Sequence, residues 1–171
     1  MKNKEMDSKD KIDNILRKIR GEIISEAVLV ELDLTTKLSY YFFNKNSEKS
    51  HIFYWEILNT KNLGFDDKIR IFKRIPSFKK WKKYPEIVQS LTFVQNLRNQ
   101  LAHWDIRFNK SNQKKIIIYD PITLKERVID AGVLEEFDDA IVKIHKYMCK
   151  NIQVGCPELK SILEKKIKSL I

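Results

Sequence analysis

Three side chains that can act on a phosphate lie within one short segment, Arg98-Asn99-Gln100-Leu101-Ala102-His103. A guanidinium binds phosphate oxygens through paired N–H groups, and an imidazole exchanges protons near neutral pH. Asn99 and His103 are four residues apart, so they share one face of a helix. The segment predicts a site where Arg98 holds an anion, Asn99 orients the imidazole or the phosphate, and His103 moves a proton.

The position of Arg98 on the helix predicted over residues 85–104 also indicates a charged ligand. At about 100° per residue, Arg98 lies roughly 20° from Ile87, in the middle of an apolar stripe. A guanidinium stays charged and is not buried without a partner or a ligand. Arg98 and His103 are about 140° apart on the same wheel, so a second copy across a twofold axis could complete the site. The stripe consists of Ile87, Leu91, Val94 and Leu101.

A purely structural interpretation of these residues stays open. Arg98 could pair with a buried carboxylate, and Glu31 is the candidate because it lies on the apolar side of a long preceding helix. Such a pair would orient the guanidinium, although a buried ion pair is weak evidence for stability. His103 could simply interact with the dipole at the end of its helix.

Residues 94–104 (VQNLRNQLAHW) resemble the signature of the HEPN superfamily, an arginine followed after four to six residues by a histidine. In that family a polar residue often follows the arginine, as Asn99 follows Arg98 here. The resemblance implies a helical bundle that often dimerises. In many members two motifs meet in a cleft and form a metal-independent endoribonuclease. Other members bind RNA, a nucleotide or a partner protein without catalysis, and this is the alternative function.

For this chain the resemblance implies a reaction that needs no cofactor and no metal. The 2′-hydroxyl of RNA would be the nucleophile, His103 the general acid or base, and Arg98 the clamp on the scissile phosphate. The expected products carry a 2′,3′-cyclic phosphate and a free 5′-hydroxyl. The family also suggests RNA as substrate, a homodimer, and a toxin–antitoxin or antiviral defence setting with an antitoxin or another protein partner.

A basic and aromatic segment, residues 68–84, directly precedes the motif helix. Lysines interleaved with aromatic rings are typical of surfaces that grip single-stranded nucleic acid. This segment could funnel RNA toward His103, whereas its rings are expected to anchor it to the core. The candidate substrate-binding residues are Lys79, Lys80, Lys82 and Lys83. The other cations are Lys68, Arg70, Lys73 and Arg74, and the rings are Phe72, Phe78, Trp81 and Tyr84.

Composition narrows the function classes. The chain has 33 lysines and arginines against 23 aspartates and glutamates. The net charge of +10 suggests an acidic partner such as nucleic acid, whereas composition alone slightly favours a lysine-rich surface that only keeps the protein in solution. Its 4 glycines form no phosphate-binding glycine loop.

Cys149 and Cys156 lack zinc-ligand spacing and suit a reducing cytoplasm. The three histidines also lack metal-ligand spacing. No signal peptide, membrane-spanning run or convincing helix-turn-helix is recognisable.

The elements that must position this site are predicted to be helices. Residues 1–171 are expected to form one domain of the all-α class, an antiparallel helical bundle with a small β-hairpin, residues 114–130, before the last main helix. Residues 1–11 are expected to fray, and residues 105–113 to form a polar loop that gates the site or connects to the hairpin. His145 is expected to be a core histidine. Helices are predicted over residues 12–20, 22–43, 52–58, 66–75, 85–104, 133–152 and 157–171.

Overall fold

A computed structural model describes residues 2–45, 47–108 and 116–148 of the chain. Over these residues the protein is mainly helical and carries a small antiparallel sheet, so the expected helical class is confirmed. The helix predicted over residues 157–171 and the two cysteines lie outside the described residues. Among the described helices, none combines the length and the apolar character that crossing a membrane requires.

The longest element is helix α1, Lys2–Phe42. It continues through Gly21, so the prediction of separate helices over residues 12–20 and 22–43 is wrong. A glycine inside a helix costs about 1 kcal/mol relative to alanine, and burial of the apolar stripe along α1 offsets that cost. Residues 2–11, which were expected to fray, also belong to α1. The buried stripe consists of Leu16, Ile23, Ala27, Val30, Leu34 and Leu38.

Short helical elements connect α1 to the motif helix. Helix α3 packs against α1, and a proline begins α4, where its missing N–H would have no helical partner. The predictions of helices over residues 52–58 and 66–75 agree with this region, except that the first is π-helical. The elements are α2 (Glu48–Ile52), a π-helical segment (Phe53–Leu58), α3 (Phe65–Arg74) and α4 (Pro76–Lys79).

Helix α5, Tyr84–His103, carries the motif. Pro85 lies in its first turn, where the sequence predicted it. The helix ends as Trp104 turns to an extended conformation, and the Trp104 N–H donates to the backbone oxygen of Gln100 at 2.8 Å. Helix α5 packs against α1 and α3. Its buried face consists of Ile87, Ser90, Leu91, Val94, Leu97 and Leu101.

A three-stranded antiparallel sheet follows α5 directly. Strand β2 (Ile116–Tyr119) is central and pairs with β1 (Asp105–Phe108) and with β3 (Glu126–Ile129). Strands β2 and β3 confirm the predicted hairpin. The prediction of a loop over residues 105–113 is wrong at β1, which pairing with β2 stabilises; residues 109–115 lie outside the described residues.

Helix α6, Ala131–Met148, packs against both α1 and α5. It begins beside Asp130, whose carboxylate accepts a hydrogen bond from the backbone N–H of Val133 at 3.1 Å. Ile118 and Ile129 of the sheet are buried in the same core as the three helices. Because β1 starts two residues after His103, the sheet lies at the C-terminal end of α5.

Candidate functional site

The motif side chains lie in the last two turns of α5, next to strand β1. Arg98 is half-buried at the flank of the buried face, so its predicted position in the middle of that face is wrong. Leu97 is the reason, because its burial moves the centre of the face to roughly 50° from Arg98. The aliphatic stem of Arg98 can thus cover apolar surface while its charged head keeps access to water.

The guanidinium of Arg98 is held by a neutral group. Its Nη1 donates a hydrogen bond to Oδ1 of the neighbouring Asn99 at 2.9 Å. Within the described part of the chain, no carboxylate forms an ion pair with Arg98. A guanidinium has five N–H donors in a planar fork, and Asn99 occupies one of them. Among the described residues, Arg98 therefore meets no carboxylate, and further donors of its guanidinium stay available at the helix end.

The proposed ion pair between Arg98 and Glu31 is wrong. Glu31 Oε1 instead accepts a hydrogen bond from Lys68 Nζ at 2.7 Å, with only 2% of the Lys68 side chain and 20% of the Glu31 side chain exposed. Lys68 lies on α3, which packs against α1, and this packing decides which cation meets Glu31. Glu31 is therefore a structural ion-pair residue, as the sequence suggested, but with a different partner.

His103 is exposed at the last turn of α5. The neighbouring Trp104 is half-buried against the core and leaves the imidazole open to solvent. Asn99 lies one turn before His103 on the same face, and Arg98 bends toward Asn99. Asn99 and His103 therefore share one face of the helix end and Arg98 contacts Asn99, whereas Arg98 and His103 leave the helix about 140° apart.

Arg20 of α1 adds a second arginine at this end of α5. Its Nη2 donates a hydrogen bond to the backbone oxygen of Ala102 at 2.6 Å. The last carbonyls of a helix lack helical partners and carry partial negative charge, so Arg20 caps α5 one residue before His103. Sequence reasoning missed this contact because its acceptor is a backbone atom, which has no side-chain signature.

Arg127 of strand β3 is a third arginine at the helix end. It is half-buried, its Nη1 donates to Oε1 of Gln100 at 2.6 Å, and its guanidinium lies 5.5 Å from the centre of the Phe93 ring. Sequence reasoning missed Arg127 as well. The alternation of β3 places it on the same side as the buried Ile129, and a charged residue in that position was the available indication.

The four candidate lysines Lys79, Lys80, Lys82 and Lys83 are all exposed. They lie before α5, whereas His103 lies at its end. The nearest of them, Lys83, is twenty residue steps from His103, or roughly 30 Å at about 1.5 Å per step. The structure therefore does not bring the lysines and His103 together within one chain. A funnel toward His103 would need an RNA that follows the length of α5 or reaches a second copy.

The aromatic rings of the basic segment serve the core, as expected. The rings of Phe72 and Phe78 are buried and stack with their centres 4.8 Å apart, and Trp81 and Tyr84 are half-buried beside them. Lys68 does not belong to the basic surface because it is buried against Glu31. Arg70 is exposed but forms ion pairs with two acidic neighbours, Asp66 and Asp67.

Acidic side chains gather between α1 and α6. His145 Nδ1 lies 2.5 Å from Asp33 Oδ2, and this hydrogen bond raises the pKa of His145. Burial raises the pKa of Asp138 to about 6, and the nearby Glu26 adds to the effect; burial also raises the pKa of Glu26. His145 is thus a half-buried histidine with a carboxylate partner. His51, in contrast, is exposed on α2.

No group of histidine, cysteine, aspartate and glutamate side chains in the described ranges is arranged to hold a metal ion. Comparison of the chain with protein-family models, with curated proteins and with solved structures finds no match. The HEPN resemblance of residues 94–104 therefore depends on the motif itself. The geometry at the end of α5 supplies the physical argument for a function.

Proposed function

We propose that this protein is a metal-independent endoribonuclease of the HEPN type. One observation carries the proposal: Arg98 is held by the neutral amide of Asn99 beside an exposed His103. Because the charged head of Arg98 keeps access to water and forms no ion pair with a described carboxylate, it can take a counter-charge from outside the chain. A phosphate of RNA supplies that counter-charge and fits the planar donors of Arg98.

The reaction uses the nucleophile that RNA itself carries. A neutral His103 removes the proton from the 2′-hydroxyl, the 2′-oxygen forms a bond to phosphorus, and the bond from phosphorus to the 5′-oxygen breaks. A protonated imidazole, His103 of the partner subunit, gives its proton to the leaving 5′-oxygen. Arg98 binds the non-bridging oxygens as negative charge builds on them. The products end in a 2′,3′-cyclic phosphate and a 5′-hydroxyl.

The two-copy arrangement follows from the angle between the side chains. Arg98 and His103 leave α5 about 140° apart, and one imidazole cannot be both base and acid in the same step. Two motifs related by a twofold axis supply two imidazoles and two guanidiniums. The HEPN resemblance extends the proposal to a toxin–antitoxin or antiviral defence system, where an antitoxin or another protein would control the nuclease.

The test is cleavage of single-stranded RNA by the purified protein in excess EDTA. We expect the wild-type protein to cut and the variant His103→Ala to lose about 10²–10⁴-fold in rate, the usual contribution of an acid–base residue. His51→Ala is the matched control, because His51 is an exposed histidine on a different helix. Equal cleavage by the wild type and His103→Ala would identify a contaminating nuclease and reject the proposal. Tight RNA binding without cleavage would favour the non-catalytic alternative.

A further inference from the structure

His103 lies between two arginine–amide pairs. Around the axis of α5, Asn99 lies about 40° to one side of His103 and Gln100 about 60° to the other side, both about one turn earlier. Asn99 accepts a hydrogen bond from Arg98 at 2.9 Å, and Gln100 accepts one from Arg127 at 2.6 Å. The two amides that lie on either side of the His103 direction thus each hold a guanidinium, one from the same helix and one from the sheet.

The described surroundings of Arg127 orient its guanidinium and include no carboxylate paired with it. The Phe93 ring lies 5.5 Å from it and the oxygen of Gln100 fixes one donor. Among the described ion pairs none includes Arg127, whereas Arg70 on α3 meets two carboxylates. A half-buried guanidinium that contacts a ring and an amide retains donors and full charge for an anion from outside the chain.

We propose that Arg127 and Gln100 form a second phosphate subsite, which binds a phosphodiester adjacent to the one held by Arg98. This inference rests on the proposed endoribonuclease function. In this proposal the small sheet contributes to RNA binding, because β3 brings Arg127 to the end of α5. It also narrows the substrate class to oligoribonucleotides that carry at least one phosphate beyond the scissile one.

The experiment compares two RNA substrates that differ by one phosphate. A dinucleoside monophosphate has only the scissile phosphate, and a trinucleoside diphosphate has a further phosphate on its 5′ or 3′ side. We expect the wild type to cleave one of the two trinucleotide arrangements with about tenfold higher kcat/KM, the usual size of one charge-assisted contact. Arg127→Gln should lose this preference through KM and cleave the dinucleotide as the wild type does.

A second variant separates phosphate binding from the structural contact between β3 and α5. Gln100→Glu places a carboxylate against Arg127, which strengthens that contact but neutralises the guanidinium. We expect an unchanged or higher melting temperature together with loss of the trinucleotide preference. If Arg127 served only to hold the sheet to the helix, Gln100→Glu would keep the preference.

A measurement of RNA binding tests the phosphate subsite independently of catalysis. A 2′-O-methyl hexanucleotide cannot be cleaved, and its affinity is measured by fluorescence anisotropy. We expect Arg127→Gln to bind it about tenfold more weakly than the wild type, and Arg70→Gln, an exposed arginine paired with acids, to bind as the wild type does. If the wild type does not cleave RNA but Arg127→Gln still binds the hexanucleotide more weakly, the endoribonuclease function is rejected and the phosphate subsite is retained. Unchanged affinity and unchanged preference in Arg127→Gln would overturn the subsite.

Discussion

Lys68 and Arg98 are both cations on helices that pack against α1, yet their partners differ in charge. Lys68 is buried and meets the carboxylate of Glu31, whereas Arg98 is half-buried and meets the amide of Asn99. The first cation is neutralised inside the protein, and the second is oriented but left charged. Among the described residues, Lys68 thus has a partner of opposite charge, whereas the partner of Arg98 is neutral.

The largest expected effect is at the structural pair. Lys68→Ala leaves Glu31 as a poorly solvated carboxylate without a counter-charge, so we expect the free energy of unfolding to fall by about 3–5 kcal/mol in urea denaturation. The double variant Lys68→Met with Glu31→Leu removes both charges and should recover most of that loss. If the Lys68→Ala protein were as stable as the wild type, the structural role of the Lys68–Glu31 ion pair would be contradicted.

The next effect concerns the exposed lysines at the other end of α5. Replacing Lys79, Lys80, Lys82 and Lys83 with glutamate removes four cations that lie on the surface. For single-stranded RNA the slope of log affinity against log salt should become shallower by about 3, since each phosphate contact contributes about 0.7. An unchanged slope, measured by anisotropy across a salt series, would show that these lysines are solvated surface residues that do not bind RNA.

A smaller effect is expected when Arg98 is given a carboxylate partner, as Lys68 has in Glu31. Asn99→Asp gives Arg98 a carboxylate in place of an amide, which should keep stability within about 1 kcal/mol of the wild type. Cleavage in EDTA should fall at least about tenfold, because the internal carboxylate competes with the RNA phosphate. Asn96→Asp is the matched control, since Asn96 is exposed on the same helix. Full activity in Asn99→Asp would contradict the idea that a neutral acceptor is needed.

The smallest effects are expected at two ionisable groups between α1 and α6, Asp138 and His145. Burial raises the pKa of Asp138 to about 6 from 3.8, so folding favours its protonated form. Its contribution to stability is present below about pH 4 and is lost as the pH rises through 6. Asp138→Asn should therefore stabilise the protein at pH 7 by about 1 kcal/mol after allowance for solvent screening.

His145 extends this pH dependence to higher pH. The hydrogen bond to Asp33 raises its pKa above 6.5, so its contribution is present below pH 6.5 and is lost as the pH rises through the higher folded pKa. Thermal melts from pH 4 to pH 9 should separate the two groups, because Asp138→Asn removes the lower window and His145→Gln the upper one. A wild-type stability that rises through both windows would contradict these assignments.

Local sequence patterns predicted the parts of the molecule that local physics determines. Periodicity, proline geometry and hydrophobicity predicted the helical class, Pro85 in the first turn of α5, the β2–β3 hairpin and the inward rings of the basic segment. Gly21 was misinterpreted because a single glycine is a weak helix breaker when the apolar stripe continues past it. Strand β1 was missed because it is only 4 residues long, and pairing with β2 stabilises it.

The candidate site was assembled from the sequence only where its residues lie close together along the chain. Arg98, Asn99 and His103 share two turns of one helix, so spacing alone could group them. The choice of Lys68 for Glu31, the cap from Arg20 and the approach of Arg127 to Gln100 join residues 37, 82 and 27 positions apart. Such contacts depend on how helices and strands pack, which a single sequence does not encode in any local pattern.

The most direct measurement is the rate of single-stranded RNA cleavage in EDTA by two variants that make the same chemical change, Arg98→Gln and Arg70→Gln. Arg98 is held by an amide and Arg70 by carboxylates. The account predicts that kcat/KM falls at least about 10²-fold in Arg98→Gln, as for loss of one donor to a developing oxyanion, and stays within about twofold of the wild type in Arg70→Gln. Wild-type cleavage by Arg98→Gln would contradict it.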